Sequence, residues 1–97
     1  MADVDKAEGR DAPARVDKAE LQAELARVLD VDAARVTDDA DFVADLGVDS
    51  LMALEVVVVL ERTYAVRFGE DELNRITTLR AVHDALTDKL AAASSRN

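Results

Sequence analysis

The chain has 97 residues, no cysteine and a formal net charge of −9, from 12 basic and 21 acidic residues. This length predicts one small domain, and the lack of cysteine excludes disulfides and thiolate metal sites. The acidic balance argues against nucleic acid, whose phosphates are bound by Lys and Arg. The longest apolar run, residues 56–60, is too short to span a membrane, and we find no secretory signal.

Residues 1–15 are polar and contain Gly9 and the only proline, so we expect a flexible N-terminal tail. The first helix is predicted to begin near Asp17, an N-cap residue with Glu20 three positions later. One apolar stripe at helical spacing follows, formed by Leu21, Leu25, Val28 and Leu29.

The next stretch, "DVDAARVTDDADFVADLGVD", has no helical period and is predicted to be a long loop. Gly47 indicates a turn or a close backbone approach. A loop of this length in a small domain is usually functional. Five apolar side chains are expected to anchor it to the core: Val31, Val36, Phe42, Leu46 and Val48.

Residues 50–64 give conflicting local signals. The run "VVVV" at 56–59 is β-branched and favours a strand, whereas the flanking "SLMALE" and "LERTY" favour a helix. A block of 15 residues is long for a strand, so we predict a helix. Because that helix is apolar nearly all round, it must be buried or present a second apolar face to a partner.

The remaining chain predicts two further helices. Gly69 breaks the chain, and "EDELNR" can form one or two turns. Thr77 or Thr78 can cap a last helix, whose apolar stripe is Leu79, Val82, Leu86 and Leu90. We therefore predict an all-α fold, a small four-helix bundle in which the first, second and fourth helices are the main ones and the third is short. A long loop joins the first two helices, and residues 92–97 form a frayed tail.

No catalytic or metal site is predicted. His83, the only histidine, lies in a predicted helix beside Asp84 and is best read as a surface or structural residue. The acids Asp38, Asp39, Asp41 and Asp45 lack the spacing of a calcium loop, and Gly47 is not part of a glycine-rich phosphate loop.

Ser50 has two readings. Asp49 or Ser50 can cap the following helix by accepting a backbone N–H bond. Alternatively, Ser50 is an attachment point, because a helix N-terminus offers unpaired N–H groups and a positive dipole end that suit a phosphodiester.

The acidic residues are concentrated in one segment. Residues 37–73 contain ten acids and only two bases, Arg62 and Arg67, so this segment carries −8 of the net charge of −9. This charge is either a solvated surface or a docking face for basic partners.

The stretch "VTDDADFVADLGVDSLMALEVVVVLE" resembles the acyl carrier protein family around its 4′-phosphopantetheine attachment site. "DLGVDSL" is similar to that family's specific motif, and "RVTDDADF" and "NRITTLRAVHDAL" also match, so the resemblance covers residues 18 to about 90. It implies a carrier domain over 16–91, a helical 50–64, and phosphopantetheine on Ser50, transferred from coenzyme A by a separate Mg²⁺-dependent transferase. The carrier itself would catalyse nothing.

The resemblance also implies roles for residues around Ser50. Asp49 would help to present the serine, Glu55 and Glu61 would be acidic recognition positions, and Leu51, Leu54 and Val58 would form an exposed apolar side. Val57, Leu60 and Tyr64 would face the core with Leu46 and Phe42. Met52 completes the expected partner surface. The implied partners are a phosphopantetheinyl transferase, a ketosynthase, an acyltransferase and tailoring enzymes, which would dock on the acidic face of the second helix.

Some residues depart from fatty-acid carriers. Met52 stands where an acid is common, Arg62 follows Glu61, and four valines fill the helix centre. "DSLMALE" resembles polyketide carriers more, so we expect a discrete, monomeric, cytoplasmic bacterial carrier for a polyketide or specialised acyl pathway, with no nucleic-acid or membrane partner. The alternatives are a carrier of primary fatty-acid synthesis, an acidic docking module without a prosthetic group, and a small hydrolase using Ser50 and His83.

Overall fold

A computed structural model describes residues 15–95 of the chain, with side chains to residue 92. It contains four α-helices: α1 (Lys18–Leu29), α2 (Ser50–Tyr64), α3 (Glu70–Leu73) and α4 (Leu79–Ser95). A 3-10 helix, Ala33–Arg35, lies within the α1–α2 loop. No strand occurs within the described range. The predicted all-α bundle with a short third helix is therefore confirmed.

Helix α1 begins and ends as its sequence predicts. The Asp17 side chain accepts the backbone N–H of Glu20 at 3.1 Å, which satisfies one of the unpaired donors of the first turn. Leu21, Leu25 and Leu29 are buried, and Val28 packs partly against the same core. The helix ends at Asp30, which takes a left-handed conformation with φ of 59°.

The loop between α1 and α2 is anchored along its length. Val36, Phe42 and Val48 are buried, while Val31 and Leu46 pack partly against the core. Backbone hydrogen bonds hold it in place: the N–H of Phe42 donates to the carbonyl of Thr77 at 2.9 Å, and the N–H of Val48 donates to the carbonyl of Phe42 at 2.9 Å. The loop thus fixes the position of the residues just before Ser50.

Helix α2 forms despite its four consecutive valines. Asp49 caps it, its side chain accepting the N–H of Met52 at 2.9 Å. Val56, Leu60 and Tyr64 are buried at helical spacing, so packing outweighs the small helix penalty of β-branched residues. Val57, expected in the core, is only half-buried, and Val56 takes the core position. The helix ends at Ala65, in a left-handed conformation with φ of 56°, four residues before Gly69.

Helices α3 and α4 are joined by side-chain contacts. Glu72 accepts the N–H of Gly69 at 2.8 Å and pairs with Lys89 of α4 at 2.7 Å. The Thr78 hydroxyl accepts the N–H of Ala81 at 3.2 Å, so Thr78 caps α4. The predicted stripe of α4 is buried in full: Leu79, Val82, Leu86 and Leu90.

The two predicted tails lie largely outside the residues that the structure describes. Residues 1–14 lie outside the described range, as do 96 and 97. Helix α4 continues to Ser95, past the predicted boundary at residue 91. The boundaries 1–15, 16–91 and 92–97 remain predictions.

Candidate functional site

Ser50 is the first residue of α2 and is exposed. The side chain of Asp49 provides the cap of α2, so Ser50 is not needed for that role. Within residues 15–95, nothing forms a hydrogen bond with the Ser50 hydroxyl. The choice between cap and free hydroxyl, left open by the sequence, is thus resolved in favour of a free hydroxyl.

The backbone around Ser50 suits an anionic group. Asp49 satisfies the N–H of Met52, whereas the N–H groups of Ser50 and Leu51 have no partner in the described part of the chain. The preceding Gly47 has φ of 70°, so it forms a turn just before the helix. A Cβ placed there would have no atom within 4 Å, so no other group approaches this backbone closely. Unpaired N–H groups and the positive end of the helix dipole stabilise a phosphate ester at this position. The residues therefore fit a phosphopantetheine linked to Ser50.

A cavity of about 340 Å³ lies beside Ser50, and its walls come from α1, the α1–α2 loop, α2 and the segment from Leu73 to Val82. Ten of its twelve lining residues are apolar, and such a space can accept a hydrocarbon chain. Asn74, which follows α3 and is exposed, contributes a polar edge to this wall, and no sequence pattern indicated that role. The lining residues are Leu29, Phe42, Val48, Ser50, Ala53, Leu54, Val56, Val57, Leu73, Asn74, Ile76 and Val82.

The outer side of α2 is apolar and exposed. Leu51, Leu54 and Val58 are 66%, 54% and 41% exposed, so their predicted exposure is confirmed, while their role as a partner surface stays a prediction. Met52 is only half-buried and packs partly against the core, so it is a boundary residue of that surface. The loop residue Val43 is also 63% exposed. Side chains of this size cost free energy in water unless a ligand or partner covers them.

The acids predicted to recognise partners are not equivalent. Asp49 is exposed and is occupied as the cap of α2. Glu55 is exposed, and its side chain has no ion pair or hydrogen bond within the described residues. Glu61 is half-buried, and its carboxylate accepts the N–H of Phe68 at 2.9 Å. A change at Glu61 would therefore disturb the α2–α3 connection, whereas a change at Glu55 tests charge alone.

Much of the acidic segment is used within the molecule. Asp38 pairs with Lys18 at 3.1 Å, and Asp38 and Asp39 both pair with Arg80 of α4. Asp41 accepts the N–H groups of Val43 and Ala44 at 2.9 Å each, and the Asp45 carboxylate accepts the N–H of Asp41 at 2.7 Å. These acids order the loop, so only part of the negative charge is free for a partner.

The hydrolase and metal readings find no support in the geometry. One ring nitrogen of His83 lies 3.3 Å from the backbone oxygen of Val16, and the other lies 3.7 Å from the Asp84 carboxylate. His83 therefore packs the start of the described chain and does not pair with Ser50. Between residues 15 and 95, no cluster of three or more His, Cys, Asp or Glu side chains could hold a metal ion. No helix in that range is both long and apolar enough to cross a membrane.

The fold and the free serine define a class of small helical carrier domain, and comparison with known proteins identifies the family. Residues 19–86 match the family model described as "Phosphopantetheine attachment site". The chain belongs to this family, and it is an acyl carrier protein that bears phosphopantetheine. The predicted family and cofactor are confirmed, and the reading as a docking module without a prosthetic group is not supported.

Two relatives and one structure illustrate the similarity. The chain is 56% identical over 75 residues to "Polyketide-8 synthase acyl carrier protein 2" of Streptomyces avermitilis, covering 77% of this chain and 86% of that protein. It is 37% identical over 73 residues to an acyl carrier protein of Helicobacter pylori, covering 75% and 94%. An acyl carrier protein structure from Enterococcus faecalis superposes with a TM-score of 0.63 at 24% identity, covering 76% and 99%, which supports the fold.

Proposed function

We propose that Ser50 carries the 4′-phosphopantetheine and that the chain shuttles thioester-bound intermediates of a polyketide or related acyl pathway. The observation that carries the proposal is the exposed, unbonded hydroxyl of Ser50 directly after the helix cap Asp49. In the transfer, the Ser50 Oγ would attack the phosphorus atom of coenzyme A that bears the pantetheine, and a phosphodiester would form. The pyrophosphate P–O bond would break, adenosine 3′,5′-bisphosphate would leave, and the hydroxyl proton would pass to a base. Because this chain is the substrate, the transferase supplies the base and the Mg²⁺.

The residues around Ser50 have supporting roles in this proposal. The unpaired N–H groups of Ser50 and Leu51 stabilise the phosphodiester charge. The chain has no cysteine, so the terminal thiol of the phosphopantetheine is the only thiol available for an acyl thioester. The apolar cavity beside Ser50 offers a growing chain a place out of water.

Partner enzymes would dock on the outer face of α2. Leu51, Leu54 and Val58 supply apolar contact, while Asp49 and Glu55 at the Ser50 end guide basic groups toward the arm. We propose a phosphopantetheinyl transferase, a ketosynthase, an acyltransferase and tailoring enzymes as partners of a monomeric, cytoplasmic carrier. Met52 and Glu61 would contribute at the edge of this face.

The polyketide assignment rests on the more similar relative, whose name places it in a polyketide synthase. The apolar Met52 and the basic Arg62 on α2 support it, because they reduce the acidity of the helix. A role in primary fatty-acid synthesis is the second candidate, supported by the Helicobacter pylori relative named simply as an acyl carrier protein.

The test is a loading reaction with coenzyme A, Mg²⁺ and a broad-specificity phosphopantetheinyl transferase. We expect the wild-type protein to gain the mass of one phosphopantetheine and Ser50→Ala to gain nothing. A His83→Ala variant is the matched control, and it should load like the wild type because the ring nitrogens of His83 lie near Val16 and Asp84 and not near Ser50. An unchanged wild-type mass, in a reaction that loads a known carrier, would refute the proposal.

A further inference from the structure

Two arginines at the far end of α2 have no partner. Arg62 and Arg67 are exposed, and neither side chain forms an ion pair or a hydrogen bond with any residue from 15 to 95. Four other cations behave differently: Lys18, Arg27, Arg80 and Lys89 are each paired with a carboxylate. Arg62 and Arg67 therefore remain available for an external anion, although the segment around them is acidic.

Arg62 lies on the apolar face that leads away from Ser50. At 100° per residue, positions 51, 54, 55, 58 and 62 fall within roughly one third of the helix circumference. Leu51, Leu54 and Val58 are its exposed apolar members, Glu55 is its acid and Arg62 is its base. This face of α2 thus has a negative charge near Ser50 and a positive charge at the opposite end.

A surface recess of about 440 Å³ adjoins the basic end. Its lining is Val58, Glu61, Arg62, Ala65, Val66 and Arg67. Glu61 is the only acid in the lining, and its carboxylate is already bonded to the N–H of Phe68. Two exposed guanidinium groups beside an apolar wall are suited to a carboxylate, which Arg binds through paired N–H donors.

We propose that this recess receives an acidic side chain of a partner protein and so fixes the direction in which the partner lies along α2. The inference rests on the proposed carrier function, because the partner must also reach the arm on Ser50. The partner surface would be apolar at its centre, basic opposite Asp49 and Glu55, and acidic farther along, opposite Arg62. The acidic position would lie about 10 Å from that of Glu55 and about 20 Å from that of Asp49, at 1.5 Å per helical residue. Such an arrangement disfavours the reversed pose, which would bring like charges together.

A second copy of the chain fits this face less well. An antiparallel α2–α2 pair would match Glu55 of one copy with Arg62 of the other, but α2 offers only three exposed large apolar side chains for its centre. A stable interface usually needs about 20–30 residues on each side. The small area instead favours transient docking of the kind a shuttling carrier needs.

The test uses a helical peptide of about 16 residues, long enough to span the face, with Lys at one end, Leu along one side and Glu at the other end. A spin label at the Glu end reports its orientation in an NMR titration of the wild-type carrier. We expect saturable shifts on α2 and broadening of the Arg62 and Arg67 amide signals, without broadening of the Leu51 signal. The double variant Arg62→Glu/Arg67→Glu should bind at least about fivefold more weakly, and a peptide with its Glu residues changed to Lys should restore binding to that variant.

Arg75→Glu is the matched control, because Arg75 is an exposed arginine outside this recess. It should bind the peptide like the wild type. The proposal is overturned if the wild type shows no saturable shifts on α2, or if the double variant keeps the affinity and orientation of the wild type. It is also overturned if sedimentation reveals a dimer that Arg62→Glu abolishes. Loading of Ser50 is measured on the same samples, so a failure of the carrier function is seen separately as unloaded wild-type protein.

Discussion

Asp49 combines a structural role with a proposed recognition role, and two substitutions separate them. Its carboxylate accepts the N–H of Met52 at 2.9 Å, and the residue is exposed beside Ser50. Asp49→Ala removes both the cap and the charge. Asp49→Asn keeps an oxygen that can cap and removes only the charge, since Asn and Asp are similar N-cap residues.

The cap determines the expected change in stability. Loss of an N-cap side chain costs about 1 kcal/mol, which corresponds to a melting temperature about 4–8 °C lower for a domain of this size. Asp49→Asn should lose only the interaction of the charge with the helix dipole, about 0.3–1 kcal/mol. Calorimetry or thermal circular dichroism should therefore rank the proteins wild type, Asn, Ala. An Ala variant as stable as the wild type would refute the capping role.

The charge determines the expected change in loading. If the carboxylate guides the transferase, both variants should load about two- to fivefold more slowly at low salt. The defect of Asp49→Asn should shrink as salt is added, because exposed charges are screened. The assay is the initial rate of phosphopantetheine incorporation by intact mass. Wild-type rates for Asp49→Asn at low salt would show that Asp49 acts only as a cap.

Three further predictions concern stability. Leu60→Ala, at a fully buried site, should lower the free energy of unfolding by about 2–5 kcal/mol. Leu54→Ala, at a site 54% exposed, should change it by less than about 0.5 kcal/mol. Equal losses of the two variants in urea unfolding would contradict the assigned core. Ala65→Gly should raise stability by up to about 1 kcal/mol, because an L-residue is strained at φ of 56°, and an unchanged or lower melting temperature would argue against that strain. The hydrogen bond from Lys89, and then that from the N–H of Gly69, lowers the pKa of Glu72 from its ordinary 4.5. The ionised Glu72 carboxylate therefore stabilises the fold above pH 4.5, and this contribution is lost as the pH falls through the lowered pKa of Glu72 in the folded protein. Glu72→Gln should flatten the acid side of a plot of melting temperature against pH, and an unaltered slope would contradict this.

The helical framework could be predicted because its signals are local. Asp17 and Thr78 cap their helices as expected, and the stripes of α1 and α4 face the core. In α2, the four valines give no contrast from which to read the phase, because neighbouring positions differ by 100° and carry the same side chain. The core position expected for Val57 came from the family resemblance, and the valines offered no local signal to correct it; Val56 is found there instead.

The use of the acidic residues could not be predicted from the sequence. Asp38 and Asp39 pair with Lys18 and Arg80, which lie 20 and more than 40 residues away along the chain. Likewise, the bond from the N–H of Phe68 to Glu61 depends on how the chain turns after Ala65. Counting charges gave the acidity of residues 37–73 but not which charges are free, and the basic end of α2 emerged only from the structure.

The sequence alone singles out Ser50 as the proposed attachment point, because a serine directly after Asp49 in "DLGVDSL" is a strong motif. Its availability could not be predicted, since either residue could have served as the cap. The cavity beside it also required the structure, because its walls come from α1, the long loop, α2 and the segment from Leu73 to Val82.

The most direct test of the account is to locate the attached group by fragmentation mass spectrometry of the loaded protein. We predict a single phosphopantetheine on Ser50 and none on any other residue with a hydroxyl group. These other residues include Thr63 of α2 and Thr77 and Thr78 before α4. A phosphopantetheine found on any other residue, or on the Ser50→Ala protein, would contradict the assignment of the free hydroxyl at the start of α2 as the attachment point.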